Sequence, residues 1–491
     1  MLRMKNLDIP ADVENVSRKI EEAGFEAYVI GGCVRDTLLG KTPKDWDLTT
    51  NAHPADIQKI FPDSFYENEY GTVGVKTRSG EATLAVVEVT PYRKEGAYSD
   101  ARRPDTVEFG VSLEEDLKRR DFTVNAIAYR VKTGEFVDLH EGQEDLKKRL
   151  IRAVGEPKRR FEEDALRMMR AIRLSAELGF AIESETAVAI HETAKNLEKI
   201  SKERIRDELV RILETKEPMA ALSIALKLGL LPYIVPALAR GIGIEQTQAH
   251  SYDVFEHNLR SMQHAADKGW ATDIRLAALF HDIAKPDVRK WSDEKKDWTF
   301  HGHEVVGARV AKKALETLRF PKETIEKAAK LVRWHMFFSD PDQVTLSAVR
   351  RVITNVGVEN IQDLLNLRIC DRIGTGRPKE QPFRLRKYMA MVDQAMRDPI
   401  SVGMLAIDGN DLMKEVGEQP SPRIGWILHA LLEEVLEDPG KNTREYLLEK
   451  AGILSGMENA ALKDMGEAGK EAQEEAETEE ISKIKSKHKV D

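Results

Sequence analysis

Lys44-Asp45-Trp46-Asp47-Leu48 places two carboxylates two residues apart, and in an extended segment such positions point the same way. Like charges held in one small volume call for a cation, and their hard oxygen ligands suit magnesium. Val87-Glu88-Val89 offers a third carboxylate from a neighbouring strand, its facing set by the apolar residues on either side. Just upstream, Val29-Ile30-Gly31-Gly32-Cys33-Val34-Arg35-Asp36 reads as a strand, two glycines and the start of a helix. The glycines let backbone amides approach a polyanion, and Arg35 in the first helical turn adds a charge-assisted contact to phosphate. Asp-x-Asp and Gly-Gly are each common in solvated turns. Three carboxylates on a small sheet beside a glycine turn are another matter: they describe a two-metal phosphoryl-transfer site.

A second grouping could read a base. In Glu163-Asp164-Ala165-Leu166-Arg167, Asp164 and Arg167 stand three apart, which a helix puts on one face. A carboxylate accepts from an exocyclic amine, and a guanidinium donates to a ring nitrogen or carbonyl oxygen. Cytosine offers its N4 amine with N3 and O2, and adenine its N6 amine with N1. One Asp/Arg pair therefore suits both bases and rejects G and U, which carry a carbonyl where the amine should be. Away from a nucleotide the same pair is a surface ion pair of ~0.3–0.5 kcal/mol.

A third grouping is rich in histidine. His257 ends Tyr252-Asp253-Val254-Phe255-Glu256-His257, His281-Asp282 follows the apolar run Leu276–Phe280, and Asp371 follows Leu367-Arg368-Ile369-Cys370. Imidazoles and carboxylates from separate helices make a divalent-metal site, one that borderline metals also accept. Lys285, four residues after His281, reads equally as a solvated lysine or, in a phosphate-hydrolysing site, as a contact to a substrate phosphate.

The elements that must position these groups read as a multidomain α+β chain. Residues 1–140 mix a helix ending near Gly24, a strand at Ala27–Ile30 and alternating or apolar runs at Gly71–Thr77, Thr83–Thr90, Asn125–Val131 and Phe136–Leu139. This predicts a small α/β head with a short antiparallel or mixed sheet. Residues 141–245 have helical periodicity over Phe161–Leu178, Ser184–Leu197 and Arg204–Leu213, an all-α neck and body. Residues 246–376 hold seven of the twelve histidines and read as a separate all-α domain; 377–456 is a helical tail region. The Glu/Lys/Ala-rich stretch 457–491 reads as disordered or marginally helical.

The chain carries a net charge of −9, four units of it beyond Met457, whereas Lys147–Arg160 holds seven basic residues against Glu156. A local patch of this kind can neutralise phosphates whatever the global sum, although a solvated helix face reads the same way. Apolar runs are too short to span a bilayer, and no secretory leader is apparent at the N-terminus. Cys33 and Cys370, far apart and in no metal spacing, fit a reducing cytoplasm.

Taken in order, Gly31-Gly32-x-Val34-Arg35-Asp36-x-Leu38-Leu39-Gly40, Asp45-x-Asp47-Leu48, Arg119-Arg120-Asp121-Phe122-Thr123-Val124-Asn125-Ala126, Glu163-Asp164-Ala165-Leu166-Arg167-Met168-Met169-Arg170-Ala171-Ile172-Arg173 and Ser201-Lys202-Glu203-Arg204-Ile205 resemble the polymerase-β-like nucleotidyltransferases. The match is to the class holding bacterial and eukaryotic tRNA nucleotidyltransferases and poly(A) polymerases. The resemblance implies that Gly32 and Arg35 hold an incoming triphosphate and that Asp45 and Asp47 bind two Mg2+ ions, with Glu88 as third carboxylate. Arg120 is implied to contact the nucleotide, Asp121 and Asn125 to support its ribose side, Asp164 and Arg167 to read the base, and Arg170 and Arg173 to add nucleotide or phosphate contacts. The segment from Arg93 to Pro104 resembles the flexible loop that repositions when specificity switches from C to A. Its completeness speaks against an enzyme adding only CC. Addition of CCA from CTP and ATP to tRNA, gripped at acceptor stem and elbow, is the first expectation; addition of A alone and poly(A) synthesis follow, and a non-catalytic RNA-binding protein is the reading from another class. His257, His281, Asp282 and Asp371 fit the His…His-Asp…Asp order of the HD phosphohydrolases, which implies a divalent metal there. His303 and His335 match positions that assist the metal or the phosphate. Such a domain could clear cyclic or 3′-phosphates from damaged tRNA ends.

Overall fold

The computed structural model describes residues 7–67, 71–96, 106–247, 250–337, 344–396 and 402–489. They form two compact units, Met1–Val332 with Gly374–Gly376, and Arg333–Ile373 with Arg377–Asp491. Among the described residues no helix is long and apolar enough to cross a membrane.

The head begins with the helix Ala11–Glu22, whose buried Val13, Val16 and Ile20 recur at helical spacing. It packs on a seven-stranded mixed sheet. In chain order the head strands are β1 (Ala27–Ile30), β2 (Asp47–Thr50), β3 (Ser64–Tyr66), β4 (Val73–Lys76), β5 (Val86–Pro91), β6 (Arg93–Glu95), β7 (Val107–Phe109), β8 (Ala128–Arg130) and β9 (Glu135–Val137). The sheet order is β3-β4-β5-β2-β1-β8-β9, with β6 and β7 paired separately. Central β1 is buried along its whole length, which explains its unbroken apolar run. Strand β2 runs antiparallel to β1 and parallel to β5. That parallel register puts Asp47 directly opposite Glu88. The flexible-loop resemblance falls largely on residues 97–105, which lie outside the described residues; its near end is β6.

Two expectations for the helices need correcting. The period over Phe161–Leu178 does not make one helix: Pro157–Glu163 ends, and Leu166–Leu178 begins after a break at Asp164. Asp164 adopts φ −140°, and its Oδ1 accepts the amide of Leu166 at 3.1 Å. Aspartate competes with the helix for backbone donors in this way, so an apolar period can run on while the helix stops. Secondly, 459–488 is not disordered but a helix, Asn459–His488, lying along Pro422–Glu437. Leu462 is fully buried there, and Gly466 and Gly469 lie so close to Trp426 and His429 that an added Cβ would meet their backbones at 2.7 and 2.2 Å. These glycines are spaced at i and i+3, so they share a face, and they let two helix backbones approach where composition alone shows only charge. A hairpin, Lys290–Ser292 with Asp297–Thr299, also interrupts the histidine-rich helices.

Candidate functional site

Strand β1 delivers the chain into a turn at Gly31 with φ 84° and ψ −135°, a conformation that glycine adopts and other residues resist. An added Cβ at Gly31 would meet Arg120 Nη1 at 3.4 Å and Asp47 Oδ2 at 3.7 Å. The glycine, the Arg-Arg-Asp turn and the first β2 residue thus share one small volume. Asp45 lies in the exposed bend before β2, and Trp46 between the two aspartates is buried, which holds the bend to the sheet. Burial, then the charges of Glu88 and Asp45, push the Asp47 carboxyl up to about 7, partly opposed by Arg120. Burial, then Glu67 and Asp45, raise Glu88 as well. Carboxylates that each make the other's ionisation unfavourable are the donor set a divalent cation fits. Glu67, just after β3, had no signal in the sequence, because β3 and β5 are joined only through β4.

Gly32 opens the helix Gly32–Leu38, and Arg35 lies nearly buried within it. Arg35 Nη1 donates to Asn125 Oδ1 at 2.7 Å, Asn125 Nδ2 donates to Asp121 Oδ1 at 3.2 Å, and Arg170 Nη2 meets Asp121 Oδ2 at 2.6 Å. Burial alone would raise Asp121, but the charge and hydrogen bond of Arg170 hold its carboxyl well below the usual range and lift Arg170 in turn. Four residues from three separate sequence motifs are therefore one polar chain. Arg120 pairs with buried Asp116 at 3.3 Å, and its Nε is buried without a hydrogen-bond partner among the described residues. An orphaned guanidinium nitrogen here suits an oxygen-rich ligand.

Asp164 and Arg167 do not share a helix. Asp164 sits in the break and pairs with Arg204 at 2.7 Å, while Arg167 lies in the first turn of Leu166–Leu178. Arg167 donates to Glu163 Oε2 at 2.9 Å and to the carbonyls of Arg160 and Arg119 at 3.2 and 3.1 Å, which ties the base-reading candidate to the Arg-Arg-Asp turn. Arg204 was quoted within a sequence motif but given no role; its Nη1 is buried without a partner among the described residues. Arg173 is drawn elsewhere, to Glu208 at 2.5 Å and Glu177 at 2.9 Å. The basic run Lys147–Arg160 is largely paired with acidic neighbours, among them Glu144, Asp145, Glu163 and Glu192. Cys33 is buried beneath β2, and burial pushes its thiol up to about 12, so it packs rather than reacts.

The histidine grouping forms a second site. His257, on Val254–Asp267, and His281, just after Thr272–Phe280, are both fully buried, with their Nε2 atoms 2.9 Å apart. Asp282 Oδ2 lies 3.1 Å from His257 Nε2 and 3.4 Å from His281 Nε2. His281 Nδ1 donates to the Ala278 carbonyl at 2.7 Å, which orients the ring with Nε2 facing inward. His303 Nε2 approaches Asp282 Oδ1 at 3.2 Å, and Lys285 Nζ approaches Oδ2 at 2.5 Å. Burial would raise Asp282, but Lys285 and the histidines hold it well below its ordinary value. The converging ligand atoms, all within 4.8 Å, suit a divalent cation. Asp371 and His335 fall in the second unit, where Asp371 is buried on the helix Ile361–Gly374 and pairs with Arg368 at 2.6 Å.

Comparison with known proteins places these sites in context. Residues 27–152 match the poly A polymerase head domain, 179–242 a region described as a probable RNA and SrmB-binding site of polymerase A, and 254–373 the HD domain. A CCA-adding enzyme of Limosilactobacillus reuteri is 35% identical over 459 residues, covering 91% of this chain and 98% of that protein. One from Lactiplantibacillus plantarum is 34% identical, covering 90% and 95%. The crystal structure of the Bacillus stearothermophilus CCA-adding enzyme in complex with CTP superimposes with a TM-score of 0.59 at 27% identity, over 90% of this chain and 97% of that one. The Thermotoga maritima CCA-adding enzyme complexed with tRNA shares the fold, with a TM-score of 0.52 at 19% identity over 89% and 93%.

Proposed function

The chain belongs to the CCA-adding enzyme family, and from that premise we propose that its head adds C, C and A in turn to the 3′ end of tRNA, with CTP and ATP as donors. The observation that carries the reading is Asp47 registered opposite Glu88 on parallel strands, within charge range of Asp45 and beside the Gly31 turn and Arg120. Asp45 and Asp47 would hold Mg2+, with Glu88 completing the acidic face. When bound, the metal supplies positive charge to the reacting phosphate and eases ionisation of the primer hydroxyl. In the transfer, the primer 3′-oxygen bonds to the α-phosphorus, the bond to the bridging oxygen breaks, and pyrophosphate leaves. Arg35 and Arg120 meet the triphosphate oxygens, and the Gly31-Gly32 turn lets them approach closely. Asp121, held by Arg170 and Asn125, fixes the ribose side.

Asp164 and Arg167 read the base edge. About two of the four acceptor positions of the Asp164 carboxylate are engaged, by Leu166 and Arg204, which leaves capacity for an N4 or N6 amine. Rejection of G and U follows from the same donor–acceptor pattern. The division that serves this chemistry is a head over 1–140, a neck and body over 141–245 and a histidine-rich domain over 246–376. The test is incorporation of labelled CTP and ATP, with magnesium, into tRNA transcripts ending at the discriminator base, at C and at CC. CCA completed on the shortest primer and stopping there is the expected result. Addition of A to the CC primer alone, or long A tracts, would replace it with A addition or poly(A) synthesis. No incorporation would leave an RNA-binding protein.

The convergence of His257, His281 and Asp282 with Lys285 favours a second activity, metal-dependent hydrolysis of 2′,3′-cyclic or 3′-phosphates on tRNA ends. Water would attack phosphorus: a 3′-phosphate gives the free 3′-hydroxyl and inorganic phosphate in one step, whereas a cyclic phosphate first opens to a monoester, which a second water hydrolyses to phosphate and the hydroxyl that the head extends. Chelator-sensitive release of phosphate, lost in His281→Ala, is its measurement.

A further inference from the structure

A wall of the space beside the histidine site is built from groups that the metal chemistry does not use. In the hairpin, antiparallel pairing sets Trp291 opposite Trp298, with the rings edge to face and centroids 5.2 Å apart. The guanidinium of Arg289 covers Trp298, 3.6 Å from its ring centroid, whereas Trp291 is 50% exposed. A single half-exposed indole is ordinary on a surface, but this one lines a cavity together with Trp298. Gln246, His250 and Tyr252 line, with the hairpin, an open cleft of about 400 Å³. That volume is of the order of small-ligand sites.

Two contacts join this cavity to the histidine cluster. Gln246 lines the cavity and accepts a hydrogen bond from Lys285 Nζ at 2.6 Å, and the same nitrogen lies 2.5 Å from Asp282. His250 lines it too, held by Thr247 Oγ1 at 2.8 Å, and its ring stands edge-on to that of His257 with centroids 5.4 Å apart. The cavity therefore borders the histidine cluster through Gln246 and His250. Of the lining carboxylates, Asp253 already accepts the amides of Gly243 and Glu256 at 2.7 Å each, while Glu245, Asp297 and Lys296 give the rim charges of both signs.

We propose that this cavity is a nucleobase subsite, and that the phosphate ester presented to the histidine–aspartate cluster is a nucleoside phosphate, such as the terminal nucleotide of an RNA, with its base stacked on Trp291. The inference rests on the phosphohydrolase reading above and names the substrate class of that site. Every base has a π-face, so such a platform accepts all four, as a repair activity on varied ends requires.

The experiment uses the full chain with its six tryptophans replaced by 5-fluorotryptophan, the Trp291 and Trp298 19F resonances being assigned from Trp291→Phe and Trp298→Phe. 3′-AMP, adenosine and inorganic phosphate are titrated separately, and binding is read at the Trp291 and Trp298 resonances, apart from any binding in the head. The Trp291 resonance is expected to move with 3′-AMP and with adenosine but not with phosphate. Trp291→Ala should weaken 3′-AMP binding by roughly five- to 150-fold, the worth of one base–aromatic stack, and Trp291→Phe should keep most of it. A Trp291 signal that stays still, or an unchanged Kd in Trp291→Ala, overturns the subsite. If 3′-AMP moves Trp291 but no added divalent metal releases phosphate, the subsite stands and the phosphohydrolase reading falls. If His281-dependent hydrolysis continues in Trp291→Ala at unchanged KM, the subsite falls and that reading stands.

Discussion

Asp47→Asn should stabilise the metal-free protein at neutral and alkaline pH while abolishing nucleotide addition. On folding, the Asp47 carboxyl moves from its ordinary 3.8 to about 7, through burial first and then through Glu88 and Asp45. A raised carboxyl means that the folded state prefers the neutral form. Below about pH 4 the group is neutral in both states and costs nothing. Between about pH 4 and pH 7 the unfolded chain ionises freely while the folded chain does not, so stability falls across that window and is level above it. Each tenfold change in proton affinity is worth ~1.4 kcal/mol, so the ceiling is about 4 kcal/mol. Asp47 is only partly covered, and solvent screening brings this to roughly 2–3 kcal/mol. Asparagine cannot ionise and lacks the decline. Thermal unfolding of both proteins in chelator, from pH 4 to pH 8, should show a Tm difference that grows by roughly 4–10 °C through the window and then stays flat. Excess Mg2+ should close or reverse the gap at pH 8, because it binds the folded wild type and stabilises it by mass action. A difference independent of pH, or a variant less stable than wild type at pH 8 in chelator, would refute the argument that the carboxylates oppose one another's ionisation.

Three further outcomes follow from the same geometry. Asp121→Ala removes the main carboxylate partner of Arg170, whose side chain is about a third exposed, and should lower stability by roughly 1–3 kcal/mol, read from denaturant midpoints; Asp121→Asn, which keeps the shape but not the charge, should lose less. Gly31→Ala forces a side chain into φ 84° and towards Arg120, and should cost about 1–3 kcal/mol while cutting kcat for both nucleotides; full activity would show that the turn tolerates the methyl. Asp164→Ala should depress C and A incorporation together by more than about tenfold, with tRNA binding in gel shift unchanged; loss of one nucleotide alone would separate the two readings that the single pair is taken to perform.

Much of the chemistry was legible in order and type. The acidic pairs, the glycine turn, the Arg-Arg-Asp and Glu-Asp-x-x-Arg runs and the His-Asp doublet are local signals, each ambiguous by itself and recognisable through their order along the chain. Short-range pattern also foretold strand β1 and the helix before it, since burial on a sheet or along a helix stripe imposes a period on the sequence. What only the tertiary structure decided lies between elements distant in the chain. The register that sets Asp47 against Glu88 depends on a parallel crossover, and neither strand encodes its partner. The chain from Arg35 through Asn125 and Asp121 to Arg170 joins three segments, and Arg204 reaches Asp164 across 40 residues. The break at Asp164 escaped notice because hydrophobic period reports which face is buried, and a side chain that captures the next amide can stop a helix without disturbing that face. The helix Asn459–His488 escaped for the opposite reason. Its composition is that of a solvated tail, and its order comes from two glycines that let it lie against another backbone, a contact that no local propensity contains.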